Sequence, residues 1–298
     1  MIYKKDFYIS VGFILSAELL FASMAAAIKL TSVYLPNESI VFFRNLLVVL
    51  ILLPWIMYQG LDKMSTRQFR LHLLRSLAGL GAMYCFFYTL IHLPLAEAIL
   101  LKTTLPFFIP IISLLWLGET VQSLVYWAIL IGFIGITVIL KPGMETFSPV
   151  ALIALMSGLL AALARSTIRR MSETEPSMRV VFYFALISTL ISAVPMSWAW
   201  VTPNGSTWGL LLIIAVLGIG AQLLMTQAYM RATSSAQLGP FSYTSVIFAT
   251  LYGWLFWNEQ IDLWFLIGTV LIIIAGFLIT QSHRANNTLH PNHLMMKK

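Results

Sequence analysis

The chain has 298 residues, 59% of them hydrophobic and 10% charged, with a mean hydropathy of +0.88 and a formal charge of +7. Soluble domains carry roughly 25% charged residues, so composition excludes a water-soluble fold, and ten runs of about 20 apolar residues would leave no room for a soluble catalytic domain. In a membrane chain the positive balance reads as Lys and Arg gathered on one face of the bilayer, and no nucleic-acid partner is expected.

Lys4 and Lys5 precede an apolar run reaching Ala27, too long for a signal-peptide core, which therefore reads as a first membrane helix. Further apolar runs predict spans, for ten in all at about 8–29, 36–58, 72–92, 94–117, 124–141, 148–168, 178–200, 207–230, 236–257 and 262–281. With the first span starting in the cytoplasm, fourteen of the 18 Lys and Arg fall inside, counting Arg75 and Arg165 as lying near inner helix ends. Lys29 and Lys141 fall outside, and Arg44 and Lys102 fall within spans. That asymmetry, with an even span count, predicts both termini in the cytoplasm. The single cysteine, Cys85, lies in an apolar run and supports neither a disulfide framework nor a cysteine-based metal site.

An offset of 140 residues aligns the chain with itself: Lys29 meets Arg169, Pro36 meets Pro176, Phe42 meets Phe182, Ala96 meets Ala236 and Glu119 meets Glu259. Each half then holds five spans, an odd number, so the second enters the membrane from the opposite side. An inverted-topology repeat of this kind places a transport site between the halves near the midplane. The division predicted is 1–142 for the first repeat, 143–281 for the second and 282–298 for a polar cytoplasmic tail.

Ala25-Ala26-Ala27-Ile28-Lys29, Phe42-Phe43-Arg44, Pro94-Leu95-Ala96-Glu97-Ala98 through Leu105-Pro106, Leu117-Gly118-Glu119 and, in the second half, Ala236 with Asn258-Glu259 carry a resemblance over nearly the whole chain. Together they resemble the drug/metabolite transporter superfamily, in its ten-helix EamA-like branch. The resemblance implies an all-α bundle that works by alternating access around a central cavity. Members handle amino acids, sugars, nucleotide-like metabolites and other organic solutes, so it leaves the substrate open. Glu18 and Lys102 are not general features of that family.

Charges within spans need protein or a wet cavity around them, since each costs roughly 2.5–3.5 kcal/mol on insertion scales. Glu18 lies about 15 Å deep in the first span, and Arg44 and Lys102 about 12 Å from outer ends, by the helical rise. Arg44 and Lys102 can bind a carboxylate or phosphate; Glu18 can exchange a proton against a cation; or Glu18 can form a structural pair with one of the two bases. Gln222 and Tyr243 are uncharged candidates in the second half, and Tyr84 and Tyr88 share a face of the third span, able to line the cavity or to pack. Glu97, Tyr183, Gln227 and Gln237 form a second tier. Pro106 and Pro110, one turn apart, are hinge candidates in the fourth span, with a static kink as the alternative. Glu119 and Glu259, at span ends, read as caps or structural partners.

No Walker loop, HExxH or GxSxG motif occurs, so ATP-driven pumping and intramembrane hydrolysis are not expected, and neither is a cofactor or metal. The sequence thus predicts a nonenzymatic, multi-pass protein of a bacterial-type inner membrane, monomer or homodimer in the lipid bilayer. Its expected partner is a small-molecule metabolite, an amino acid or similar zwitterion or anion, moved by proton coupling or exchange. An exporter of cations centred on Glu18, a channel and a nontransporting scaffold remain as alternatives.

Overall fold

A segment that crosses lipid must satisfy its own backbone groups, and uninterrupted Leu, Ile, Val, Phe and Ala do so as helix. The computed structural model describes residues 2–60, 64–112, 123–140, 149–172, 174–231, 238 and 241–289, and among these every regular element is helical. The helices are α1 (Ile2–Thr31), α2 (Asn37–Gln59), α3 (Phe69–His92), α4 (Leu95–Lys102), α5 (Leu105–Ile112), α6 (Ser123–Leu140), α7 (Val150–Met171), α8 (Ser177–Met196), α9 (Gly205–Arg231), α10 (Thr244–Trp257) and α11 (Leu263–Leu289). Seven segments are long and apolar enough to cross a bilayer, counting α4 with α5 as one; α6 and α11 hold shorter apolar stretches, and α10 completes ten spans.

Proline sets several boundaries. Pro36 and Pro176, 140 residues apart, both stand in extended conformation immediately before α2 and α8, where a missing N–H costs nothing. The fourth span, predicted as one run, is two short helices that break at Thr103 and Thr104. Pro106 has no N–H for the Lys102 carbonyl, and the hydroxyls of Thr103 and Thr104 turn back onto the carbonyls of Ile99 and Leu101. Gly158 of α7 lies against this broken turn: a Cβ there would stand 3.1 Å from the Lys102 carbonyl oxygen and 3.0 Å from the Thr104 hydroxyl. In the second half α10 starts at Thr244, 140 residues after Thr104.

The halves interlock. The first span of each packs along the third span of the other, α1 on α9 and α7 on α3, while α2 meets α8 and α6 meets α11. Exchanging the halves preserves this pattern, which is the pseudo-two-fold arrangement of an inverted repeat. Small residues permit the close approaches: a Cβ at Gly268 would stand 2.7 Å from the Gly135 carbonyl oxygen across the α6–α11 contact. Leu190, Val194, Val216, Leu251 and Leu255 are exposed, as side chains that face lipid must be. Trp198, Trp200, Trp208, Trp254 and Trp264 are exposed at the span ends predicted to lie outside, consistent with an interfacial aromatic belt.

Candidate functional site

A cavity of about 80 Å³ lies between the halves, lined by residues of α1, α2, α3, α4, α7, α8 and α9. Four basic residues line it: Arg44, Arg75, Lys102 and Arg165. On α3 the lining positions are Arg75, Gly79, Ala82, Met83, Phe86 and Phe87, a stripe that repeats every three or four residues and so follows one helix face.

Arg44 and Arg75 share one ring. The Arg75 guanidinium carbon lies 3.8 Å from the centroid of Phe184 and that of Arg44 lies 5.8 Å from it. Both are almost fully buried, at 1% and 2% exposure. Arg44 Nη1 donates to Asn45 Oδ1 at 2.8 Å, and Arg75 Nη2 donates to Gln222 Oε1 at 3.0 Å. Among the described residues Arg44 Nε and Arg75 Nε and Nη1 have no hydrogen-bond acceptor, and neither arginine pairs with a carboxylate.

Lys102 and Arg165 form a second group. The Lys102 ammonium lies 3.9 Å from the Phe86 ring centroid and 5.1 Å from that of Phe21. Arg165 Nη1 donates to Tyr229 Oη at 3.0 Å and to Ser242 Oγ at 3.3 Å, while Arg165 Nη2 faces Glu18 Oε1 at 3.6 Å. That last separation suits Coulombic attraction and is too long for a hydrogen bond. Glu18 and Lys102 also line a small adjoining space with Arg165.

The structure thus brings Glu18, Arg44, Lys102 and Gln222 together and corrects two expectations. Arg75 and Arg165, about 9 Å in from the ends of α3 and α7 predicted to be inner, line the cavity instead of reaching out to the interface, because they lie on the faces turned toward the other half. The ion pair of Glu18 forms with Arg165 and not with Arg44 or Lys102. The signal for both arginines was present as their depth within α3 and α7.

Other predicted residues lie elsewhere. Tyr84 and Tyr88 sit roughly 140° and 180° around α3 from the middle of the lining stripe; Tyr84 packs against the core, and Tyr88 is 37% exposed with its ring 4.2 Å from His92. Tyr243 is buried against Gly276 of α11. Tyr183 donates to the Met64 carbonyl and stacks on His72, and Gln227 bonds Ser177 and Arg231, all at helix ends predicted to be inner. Glu97 lines a vestibule of about 110 Å³ with Glu259 and Asp262, at the end predicted to be outer. Pro110 lies inside α5 and Pro106 in its first turn, whereas Gln237 and Glu119 fall outside the described residues.

Networks join the halves at both ends. At the end predicted to be outer, Lys29 Nζ donates to Glu259 Oε1 at 2.6 Å and to the Leu93 carbonyl at 2.9 Å, and Glu259 accepts the Leu95 N–H that opens α4. At the end predicted to be inner, Glu175 accepts from Thr66 at 2.5 Å and Arg179 at 2.8 Å and lies 3.4 Å from His72. Burial alone would raise the Glu175 carboxyl, but the Thr66 hydroxyl, Arg179 and His72 together hold it below the ordinary carboxylate value.

The EamA-like transporter family matches the chain twice, over residues 8–141 and 148–281, with both halves in the same register as the 140-residue repeat. The chain belongs to the EamA-like transporter family. It is 34% identical to the pseudopaline exporter of Pseudomonas aeruginosa, over 90% of this chain and 94% of that protein. It is 26% identical to the S-adenosylmethionine uptake transporter of Rickettsia felis, over 84% of this chain and 85% of that one. A solved crystal structure, at 19% identity, superposes with a TM-score of 0.69 over 95% of this chain and 98% of its own, which shows the shared fold. As an EamA-like transporter this is a multi-pass membrane protein that moves small molecules. The relatives just named carry different compounds in different directions, so substrate identity must come from the cavity of this EamA-like chain.

Proposed function

We propose that the protein is a secondary-active transporter of a small organic anion or zwitterion, an amino acid or similar metabolite, carried through the central cavity by alternating access with proton coupling or exchange. One observation carries the reading: four basic side chains line the cavity, and among the described residues the only carboxylate beside them, Glu18, already faces Arg165. A cation entering this space would meet net repulsion. A carboxylate would instead supply acceptors for arginine donors that have none, which removes the cost of leaving buried charge unpaired. The engagement of Glu18 with Arg165 weighs against an exporter of cations built on Glu18. The outer and inner networks, each joining the two halves, are the natural elements to break and re-form as access alternates.

The test is thermal unfolding of the purified protein in detergent against amino acids, organic acids, nucleosides and amines, followed by counterflow in proteoliposomes with whichever compound stabilises it. A ligand at 100 times its Kd stabilises the native state by about 2.7 kcal/mol. Carboxylate-bearing compounds are expected to raise the midpoint and to exchange across the membrane. Stabilisation by amines alone would overturn the reading.

A further inference from the structure

The four bases are not spread evenly, and their division says more about the substrate than their number. Arg44 and Arg75 sit together on the ring of Phe184, with Gln222 beside them and, among the described residues, no carboxylate in contact, a pole of two unneutralised charges. Lys102 and Arg165 sit together beside Glu18, a pole whose net charge is one unit. Among the described residues Lys102 donates no hydrogen bond and rests only on the rings of Phe86 and Phe21. The lining around the two poles includes the apolar side chains of Met24, Met83 and Phe87. Like charges held side by side in a poorly solvated space repel one another, and each pole is relieved only by an anionic group of its own.

We infer that the substrate carries anionic groups at two separated positions joined by an apolar or weakly polar middle, one group held by Arg44 and Arg75 and the other by Lys102 and Arg165. This rests on the anion-transporter reading above and narrows it from organic anions in general to those with two or more acidic groups. The Arg44–Arg75 pole, with two free charges, suits the more highly charged end, a geminal pair of carboxylates or a phosphate. The Lys102–Arg165 pole, with Glu18 at its edge, suits a single carboxylate, and an α-ammonium next to that carboxylate would find Glu18. Phe184 and Phe86, each under a cation, hold the two poles in place without competing for their hydrogen bonds.

The experiment measures binding to the full-length protein in detergent, with straight-chain α,ω-dicarboxylates from malonate to suberate and the monocarboxylate of equal length as each one's control. In the parent protein a dicarboxylate of matching length is expected to bind about tenfold tighter than its monocarboxylate, the factor one charge-assisted hydrogen bond supplies. Arg44→Gln together with Arg75→Gln removes one pole and Lys102→Gln neutralises the other, and each change is expected to bring that ratio to about one while monocarboxylates still bind at the remaining pole. Unfolding midpoints without ligand establish that the variants are folded, and the parent ratio decides the matter on its own if either is not. Equal binding of mono- and dicarboxylates by the parent overturns the two-pole inference and leaves the anion-transporter reading standing. Stabilisation by amines with no carboxylate bound overturns both.

Discussion

Lys29 and Glu259, 230 residues apart in the chain, meet at 2.6 Å and join the end of α1 to the turn that follows α10. The geometry is prepared locally. Asn258 takes the left-handed conformation, φ 50° and ψ 34°, and the Glu259 N–H bonds back to the Gly253 carbonyl, so the chain reverses and brings the carboxylate over Gly253. There the carboxylate accepts both the Lys29 ammonium and the first free N–H of α4, while Lys29 also reaches the Leu93 carbonyl.

Because Glu259 serves as both ion-pair partner and helix cap, reversing the charges should recover only part of what the single changes lose. Glu259→Gln and Lys29→Gln are each expected to lower stability by about 1–3 kcal/mol, the range between an exposed and a buried pair with a cap added. In the exchanged protein, Lys29→Glu with Glu259→Lys, the pair can re-form, yet a lysine cannot accept the Leu95 N–H. Denaturant unfolding of the parent, the two single variants and the double Gln variant as a double-mutant cycle measures the coupling, and full recovery in the exchanged protein would show that the cap contributes nothing.

Glu18 faces Arg165 across 3.6 Å, while Arg165 keeps hydrogen bonds to Tyr229 and Ser242. Glu18→Gln should therefore leave the fold intact and raise the net positive charge of the Lys102 pole. Simple carboxylates are expected to bind about threefold tighter, a modest gain because effective screening in proteins is substantial. Equilibrium binding of a monocarboxylate to both proteins checks this, and weaker binding to the variant would mean that Glu18 contributes attraction to the ligand.

The inner network makes stability depend on pH through Glu175. Its carboxyl is held below the ordinary carboxylate value by Thr66, Arg179 and His72 acting against burial. The unfolded chain therefore binds the proton more readily, and this contribution is fully present above the unfolded value of about 4.3 and is lost as pH falls through the folded one. Unfolding midpoints from pH 7 down to pH 3 should fall less steeply in Glu175→Gln than in the parent. Parallel curves would show that Glu175 is not the group responsible.

The fold was legible because its signals are long: ten apolar runs, one basic side, and a repeat anchored by Pro36 with Pro176 and Glu119 with Glu259. The site was legible only in part. Arg44 and Lys102 stood out as charges far from any loop, but Arg75 and Arg165, about one and a half turns from helix ends, looked like residues able to reach the interface. What places them in the cavity is the face of the helix they occupy, and that depends on α3 packing on α7 across the repeat, a contact no local pattern encodes. Tyr84 and Tyr88 failed to reach the cavity for the converse reason, since sharing a face does not say which neighbour that face meets. The pairing of Lys29 with Glu259 was hidden because it joins two halves whose relation only the assembled bundle fixes.

Two glycines test whether the arginine pole matters for binding separately from folding. A Cβ at Gly79 would stand 2.6 Å from Arg75 Nη1 and 2.9 Å from the edge of Phe184; one at Gly218 would stand 2.9 Å from Arg44 Nη2 and 3.2 Å from Met24 Sδ. The displaced atoms are mostly the ends of flexible side chains, so the bundle can yield, and alanine in a helix gains about 1 kcal/mol over glycine. Gly79→Ala and Gly218→Ala are expected to keep the parent's unfolding midpoint within a few degrees while moving a guanidinium off Phe184, weakening anion binding about tenfold. Gly81→Ala, on the same helix as Gly79 but facing Leu160 at 3.1 Å, serves as the control and should leave binding unchanged. Binding isotherms beside unfolding curves separate the outcomes: unchanged affinity in both cavity variants would mean that the Arg44–Arg75 geometry is not what holds the anion, whereas a loss confined to those two ties affinity to the position of the guanidinium groups.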